Sequence, residues 1–485
     1  ADEWAVGVSI PGLPGIILGM NPYLAWAFTN VGEDVDDNLR EIVNPAETQY
    51  RIKYPDGRTE WRDIEKKTFT IKVGDEDRQV EAWFTHRGPL RRLEGVGDDL
   101  FYSRQWLPLK EGMLGLPSVA MAQSTNWEEF NGAIDRMRVP AQNVLFADRA
   151  GNLGYRASGV DIEREVYADV PMSADVAEWK GFLPTTERHR KLWPAVGDAA
   201  DHTYMGTANE RIWLGDPTGF ASDDRKARIM EFLGASDDLG IKDMFALHLD
   251  TKSRFAKILL DWIKDNSNIT DPKYKKTVDR WSNWSGVATE DTTVFTQAKW
   301  LEETLMEMLI GRVKDHYLGS YEGKDDLRYS WPTRRGWLLH LMQRKGSFEV
   351  FGTSDQVLAD FLLQSLHEQE ELTPYYEVNL WQAQHPFVGR VPVVDRLFKV
   401  PANEQYGSRY VVKVERPYFG ASVRMTYAME DPLQSYWVTP VGQSGHIASE
   451  FYANFRDDWA EGRYLKVFPG SYTWNFAKPY GGVPK

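Results

Sequence analysis

The sequence has no cysteine. Disulfides, thiolate metal sites and a cysteine nucleophile are excluded in one step, while nothing about the redox compartment follows. The 485 residues contain no uninterrupted apolar run of membrane-spanning length. Their formal charge of −14 removes the electrostatic footprint of a nucleic-acid binder. The opening Ala1-Asp2-Glu3-Trp4 has neither the basic start nor the apolar stretch of a secretory signal. None of the nine histidines falls in a His-Glu-x-x-His pattern or an i, i+4 pair, so the usual helix-borne zinc site has no support. No Gly-x-Ser-x-Gly frames a serine; Gly442-Gln443-Ser444-Gly445-His446 contains one without that frame. Gly-rich phosphate loops, fixed-period repeats and low-complexity linkers are also missing.

What is present is ordinary globular composition, with 42% hydrophobic and 26% charged residues. The 19 tryptophans are spread along the chain, as buried aromatics are, rather than massed into a ligand face. Residues 1–220 read as strand-rich. Gly7 to Gly15 is dense in glycine and proline, and two apolar segments, Ile16-Ile17-Leu18 and Leu24 to Phe28, flank a turn at Met20-Asn21-Pro22. Tyr50–Tyr54, Phe69–Val73 and Val80–Phe84 alternate polar and apolar residues, predicting hairpins with one wet face. Asn126 opens a short amphipathic helix through Ile134 and Met137. Asn143–Asp148 and Gly151–Tyr155 predict two strands around a tight turn. Residues 221–372 are helical: Phe255, Ile258, Leu259, Trp262 and Ile263 mark one apolar helix face, and Ile229, Phe232 and Leu233 mark another behind Ser222 as N-cap. Further helices are predicted over Thr293–Val313 and Ser354–Glu370. Strands return over 380–485, at Tyr410–Val414, Val423–Tyr427 and Tyr436–Thr439. With no linker in view, the expectation is one interleaved α+β unit spanning 1–485.

Two constellations carry chemistry. Asp34-Val35-Asp36-Asp37, preceded by Glu33, is dense in carboxylates that repel unless solvated or bridged by a hard cation. It lacks EF-hand spacing, so a solvated acidic loop stands beside a calcium loop as a reading. Asn209, in Thr207-Ala208-Asn209-Glu210-Arg211, has an amide able to hold an oxyanion, or to make an ordinary turn.

The order of the motifs resembles the β chain of the penicillin acylase family of N-terminal-nucleophile hydrolases, which includes acyl-homoserine-lactone acylases. The matching pieces are Gly7 to Gly15, Trp26-Ala27-Phe28-Thr29-Asn30, Asp34 to Asp37, Pro140-Ala141-Gln142-Asn143 and Ala147-Asp148. Gly151 to Tyr155, Glu178 to Pro184, Thr207-Ala208-Asn209, Asp224-Arg225, Ser422-Val423-Arg424 and Gly442 to Gly445 follow in family order. The resemblance implies an αββα sandwich with an inserted helical section. It implies hydrolysis of an amide through an acyl-enzyme on an N-terminal serine, releasing an acyl group from a β-lactam, a homoserine lactone or a related amine. It assigns the oxyanion hole to the backbone N–H of Asn30 and the side chain of Asn209, with Arg225 supporting the nucleophile's surroundings. The acyl pocket maps to Ile17, Leu18 and Phe28. A structural calcium maps to Asp34, the carbonyl of Asp36, Asp37 and, more loosely, Asp216. An α chain from the same precursor and a periplasmic or extracellular location are further implications; a membrane span and nucleic acid are not among them.

The sequence departs from the family at its start. The family's Ser-Asn-x-Trp opening and the segment after it precede the Pro-Gly-Leu-Pro-Gly strand, which here arrives within ten residues, and Ala1 has no hydroxyl. The expectation is therefore a β-chain region without its nucleophile and inactive by itself. The rival reading is a catalytically dead relative that binds acylated ligands or a partner. Met20 also stands where the family commonly has histidine, a change at the pocket rim.

Overall fold

The computed structural model describes the chain apart from residues 1–3, 94–99, 111, 114, 167–170, 185–189, 194–202, 211–222, 314–333, 370, 384, 386–393 and 469–485. Where the sequence reads as one interleaved unit, the structure divides into two compact units. One comprises residues 1–202 and 209–221, the other residues 203–208 and 222–485.

The first unit opens with β1 (Val6–Val8), β2 (Leu18–Met20), β3 (Leu24–Asn30) and β4 (Asp36–Glu41). Two hairpins follow, β5 (Gln49–Lys53) with β6 (Thr59–Asp63), and β7 (Glu65–Val73) with β8 (Glu76–Phe84). Then come β9 (Pro89–Leu93), β10 (Leu100–Trp106), helices α1 (Ser118–Gln123) and α2 (Trp127–Ile134), β11 (Gln142–Asp148) and β12 (Leu153–Ala157). Short strands β13 (Val160–Glu163) and β14 (Met172–Ser173), the one-turn helix α3 (Ala174–Ala177), and strands β15 (Gly181–Pro184) and β16 (Arg190–Trp193) complete the unit. One sheet has the order β1-β2-β3-β11-β12-β16, the other β14-β4-β10-β9-β8-β7.

Local chemistry builds the first sheet. The expected turn before β3 is held by buried Asn21, whose Oδ1 accepts from the N–H groups of Tyr23 and Leu24, while its Nδ2 donates to the carbonyls of Ala122 and Ser124. One side chain thus closes the β2–β3 turn and ties it to the end of α1. Period-two alternation then sends Leu24 and Trp26 to one face, with Phe28 behind them. That face packs with Val144 and Phe146 of β11 against Met121, Trp127, Phe130 and Ile134 of the two helices. Asn126 caps α2, its Oδ1 accepting from Glu129 N–H at 3.0 Å. Gly154 is required on β12 because a Cβ there would lie 2.5 Å from the Trp127 ring.

The β7–β8 hairpin departs from the expectation of one wet face. β7 is exposed along its whole length and β8 through Glu81, leaving Phe69, Ile71, Val73 and Val80 in solvent. Alternation reveals that a strand has two faces; whether anything covers one of them depends on elements remote in sequence.

The second unit is mainly helical: α4 (Asp224–Leu233), α5 (Ile241–His248), α6 (Arg254–Asn266), α7 (Pro272–Asn283), α8 (Thr292–Val313), α9 (Arg334–Met342) and α10 (Asp355–His367). Phe255, Leu259, Trp262 and Ile263 of α6 are buried with Trp281, Leu305 and Leu362 in one core. Ser222, expected to cap α4, lies outside the described residues. The expected strand Tyr410–Val414 is instead a turn region, where Lys413 N–H donates to the Asp250 carbonyl at 2.9 Å. Instead of pairing in a ladder, the segment contributes Lys413 to a buried ion cluster. Lys413 Nζ and Arg424 Nη2 meet the two oxygens of Glu415 at 3.3 and 2.9 Å.

Beside this cluster His248 Nδ1 and the hydroxyl of Tyr464 share a hydrogen bond at 2.9 Å. Burial, aided by the Arg424 charge, lowers the His248 pKa to about 4. Burial pushes Tyr464 up to about 12, so the phenol keeps its proton. The ordinary histidine value lies above the folded one. Stability from the neutral ring is therefore complete above pH 6.5 and is lost as pH falls from 6.5 toward 4. The loss is expected to approach ~3 kcal/mol. Urea unfolding over that range should show it, and His248→Gln should flatten the slope; an equal slope in the variant would remove His248 as its source.

Candidate active site

Asn30 is the last residue of β3 and faces Gln142 across the β3–β11 ladder. The backbone N–H of Gln142 donates to Ser158 Oγ at 2.9 Å, and its carbonyl accepts from Ser158 N–H at 2.8 Å. One residue past Asn30, Val31 N–H donates to the Ala141 carbonyl at 3.2 Å. In an antiparallel ladder the N–H and C=O of one residue leave by the same edge, and successive residues alternate edges. Both backbone groups of Asn30 therefore leave β3 on the side away from β11. On that side β2 pairs only with Ala25 and Trp26, so among the described residues no strand lies beside the end of β3. Asn209 occupies that edge, its Nδ2 donating to the Asn30 carbonyl at 2.9 Å. The backbone N–H of Asn30 and the amide of Asn209 are thus two donors at one open strand end.

Asn209 holds a left-handed backbone, φ 65°. Asparagine is one of the few side chains that tolerate this conformation. The loop orients the amide at a local backbone cost, a common bargain at functional sites.

Motif pieces far apart in sequence support the same strand end. Gln142 Nε2 donates to Asn30 Oδ1 at 2.9 Å, which turns the Asn30 side chain toward β11. Asn143 Nδ2 donates to Thr29 Oγ1 at 3.1 Å, and its Oδ1 accepts from the Tyr155 hydroxyl at 2.7 Å. Burial, with the charges of Glu210 and Glu33, raises the Tyr155 pKa far above its usual range and keeps that phenol a donor. Gln142, Asn143 and Tyr155 were legible as motif members, but the bonds that join them to one another and to β3 were not.

Of the expected pocket residues, Phe28 packs against the β3–β11–helix core together with Ile16. Ile17 is buried and its carbonyl accepts from Trp26 Nε1 at 2.8 Å. Leu18 lies on β2 opposite Val8. Ile16 is the apolar neighbour that sequence reasoning missed; it belongs to the same apolar run, one residue earlier. Arg225 lies in the first turn of α4, in the second unit.

The acidic loop meets arginines. Arg164 Nε donates to Asp37 Oδ2 at 2.8 Å, and its Nη2 reaches the Asp34 carbonyl at 2.8 Å and the Asp34 carboxylate at 3.3 Å. The indole N–H of Trp179 donates to the same Asp37 oxygen. Asp36 turns outward to Arg104, whose Nε lies 2.8 Å from Oδ2. Asp37 Oδ1 remains buried without a hydrogen-bond partner. Such an orphaned carboxylate oxygen suits a hard cation. Against this, among the described residues no three His, Asp or Glu side chains are grouped to hold a metal. Asp216 lies outside the described residues. The donors fit calcium in part: Asp37 offers a free oxygen, while Arg164 competes for Asp34.

A second ionic cluster braces this region. Fully buried Arg87 donates through Nη1 to both oxygens of Glu41 at 3.2 and 3.0 Å, and through Nε and Nη2 to Glu178 at 2.9 and 2.6 Å. His86 Nε2 meets the other Glu178 oxygen at 2.7 Å. Glu178 directly precedes Trp179, so Arg87 links β4 to the residue that bonds Asp37. Burial would raise Glu178, but the His86 hydrogen bond and the Arg87 charge hold it below the ordinary carboxylate value. Sequence inspection missed Arg87 because nothing local marks which arginine goes inside.

The sequence matches the family described as penicillin amidase over residues 4–473. Acyl-homoserine lactone acylase QuiP of Pseudomonas aeruginosa is 26% identical over 280 residues, covering 52% of this chain and 31% of that protein. Penicillin acylase 2 proenzyme of Pseudomonas sp. strain SE83 is 23% identical over 521 residues, covering 97% of this chain and 62% of that protein. The chain thus spans about a third of the first relative and less than two thirds of the second. A thermostable penicillin G acylase from Alcaligenes faecalis shares the fold, with a TM-score of 0.63 at 15% identity over 96% of this chain and 90% of that one. Among the described residues no helix is long and apolar enough to cross a membrane.

Proposed function

Because this chain belongs to the penicillin amidase family, we propose that it supplies the oxyanion and acyl-binding wall of an amide hydrolase. The observation that supports this best is the pairing of Asn209 with the open end of β3 at Asn30. In the reaction a nucleophile attacks the amide carbonyl carbon, and the negative charge gathers on the carbonyl oxygen. Donors at Asn30 N–H and Asn209 Nδ2 stabilise that charge as it develops. Collapse of the intermediate breaks the C–N bond, the amine leaves with a proton, and water then releases the acyl group as a carboxylate. The nucleophile, a serine by family resemblance, is not assigned to any residue of this sequence, and an α chain from the same precursor completes the enzyme. Ile17, Leu18 and Phe28 seat an apolar acyl group, and Arg225 steadies the nucleophile's surroundings.

The amine partner is a β-lactam, a homoserine lactone or a related amine; the two named relatives divide between the first two classes. The test is single-turnover kinetics of the whole processed protein with a chromogenic phenylacetyl amide and with a long-chain N-acyl homoserine lactone. A burst of acyl-enzyme with either supports the reading. No acyl-enzyme with both, from a folded protein, overturns it and favours a ligand-binding relative. The location that goes with this reading is periplasmic or extracellular.

The acidic loop has its own proposal: a structural calcium held by Asp34, the carbonyl of Asp36, Asp37 and Asp216. When bound, it supplies positive charge that neutralises the loop and braces the turn after β3. Calcium at a hundredfold excess over its Kd is expected to add about 2.7 kcal/mol to unfolding stability, reversed by chelator. An unchanged midpoint with calcium and with chelator leaves Arg164 as the loop's counterion and removes the metal.

A further inference from the structure

Away from the acyl-transfer residues, the second unit contains a cleft of about 290 Å3 between α8 and the segments around 375–379 and 409–417. Its lining is charged in an unusual way. Arg409, Arg416 and Lys299 face it, with Glu303 as the carboxylate among them. Lys299 is already committed, its Nζ lying 2.8 Å from Glu302. The two arginines are not. Among the described residues neither forms an ion pair with a carboxylate, and the buried Nε of Arg416 has no hydrogen-bond partner. Aromatic faces hold the guanidinium groups in place instead, with Arg416 4.5 Å from the Phe419 ring centroid and Arg409 5.8 Å from that of Tyr410. Burial and the neighbouring Arg409 charge pull the Arg416 pKa down, the mark of two cations brought together without compensation.

The frame around them is rigid. Asn379 is buried and donates to the carbonyls of Gln405 and Gly407 at 3.1 and 2.9 Å, locking the segment that carries Arg409 to the one that carries Tyr375. Leaving a half-buried guanidinium donor unsatisfied is costly, and placing a second beside it is costlier. An anion with two or more oxygens removes both costs, because each planar fork donates in parallel to a carboxylate or phosphate group. Tyr375, Val378 and Pro417 complete the cleft with less polar surface.

We propose that this cleft is an oxyanion site, binding the carboxylate or phosphate group of a small ligand between Arg409 and Arg416. It does not depend on the acylase reading, since none of its residues belongs to the acyl-transfer site. Glu303 sets the site's selectivity by opposing excess negative charge.

Calorimetric titration of the whole protein at constant ionic strength tests it, with inorganic phosphate in one arm and benzoate in the other. Saturable binding of either in the millimolar range or tighter is expected, and the stronger arm identifies the ligand class. Arg409→Gln and Arg416→Gln are each expected to weaken it about tenfold or more, and Glu303→Gln to tighten it several-fold. Arg409 is exposed, so R409Q leaves the packing intact even if R416Q folds poorly. Binding unchanged in R409Q, binding unaffected by E303Q, or no saturable binding of either anion overturns the proposal.

Discussion

Replacing Asn209 by glycine in the processed whole enzyme is expected to lower kcat by ~10²–10³, or ~3–4 kcal/mol of transition-state stabilisation, with KM changed little. Glycine is the informative substitution because Asn209 has φ 65°, a conformation that alanine would adopt only under strain. Asn209→Gly deletes the donor and keeps the backbone, so a lost rate reports the amide rather than a distorted loop. The side chain also bonds the Asn30 carbonyl at 2.9 Å, but that contact is exposed, and its loss should cost only about 1 kcal/mol of stability. An equal fall in kcat/KM and kcat, with an unfolding midpoint lowered by no more than that loss of about 1 kcal/mol, is the predicted signature. A variant that keeps wild-type kcat would show that Asn209 does not hold the oxyanion. A variant that loses activity only through a raised KM would show that it serves ground-state binding.

The largest stability effect should come from Arg87. Arg87→Met is expected to destabilise the first unit by ~3–5 kcal/mol, because Glu41 is left fully buried with its charge uncompensated. Burial already raises the Glu41 pKa against the opposing pull of Arg87 and Ser103, so losing the guanidinium pushes it higher. Replacing both partners, as Arg87→Met with Glu41→Leu, should recover most of the loss, since the cost lies in the orphaned charge. Glu178 supplies a pH signature. Its folded pKa lies below 4.5, so its contribution is present above that value and declines as pH falls below it. Urea unfolding of wild type and R87M from neutral pH into the acid range should therefore converge at the low end. A single-variant loss under 1 kcal/mol, or a double variant no better than the single, would contradict this account.

The sequence by itself determined the local framework. Apolar periods placed a short helix opening at Asn126, read through Met137 where the structure ends it at Ile134, and the buried face from Phe255 to Ile263, while turn chemistry placed the strands on either side of the Asp148 turn. These depend on neighbours within a few residues, which a single sequence displays. The ordered motifs also carried the family, because residues of one site recur in one order even when far apart.

Tertiary structure alone decided which of those residues meet. That the backbone of Asn30 leaves β3 by an open edge follows from β2 stopping at Trp26 and from Gln142 spending its backbone on Ser158. The ladder register that settles this joins residues more than a hundred apart. The acidic loop shows the same limit: four neighbouring carboxylates announce a need for positive charge but not its source, and Arg164 reaches Asp37 across 127 positions. Charge is legible along a chain, whereas its neutralisation is a property of three-dimensional packing, where the cost of burying an unpaired ion selects the partner.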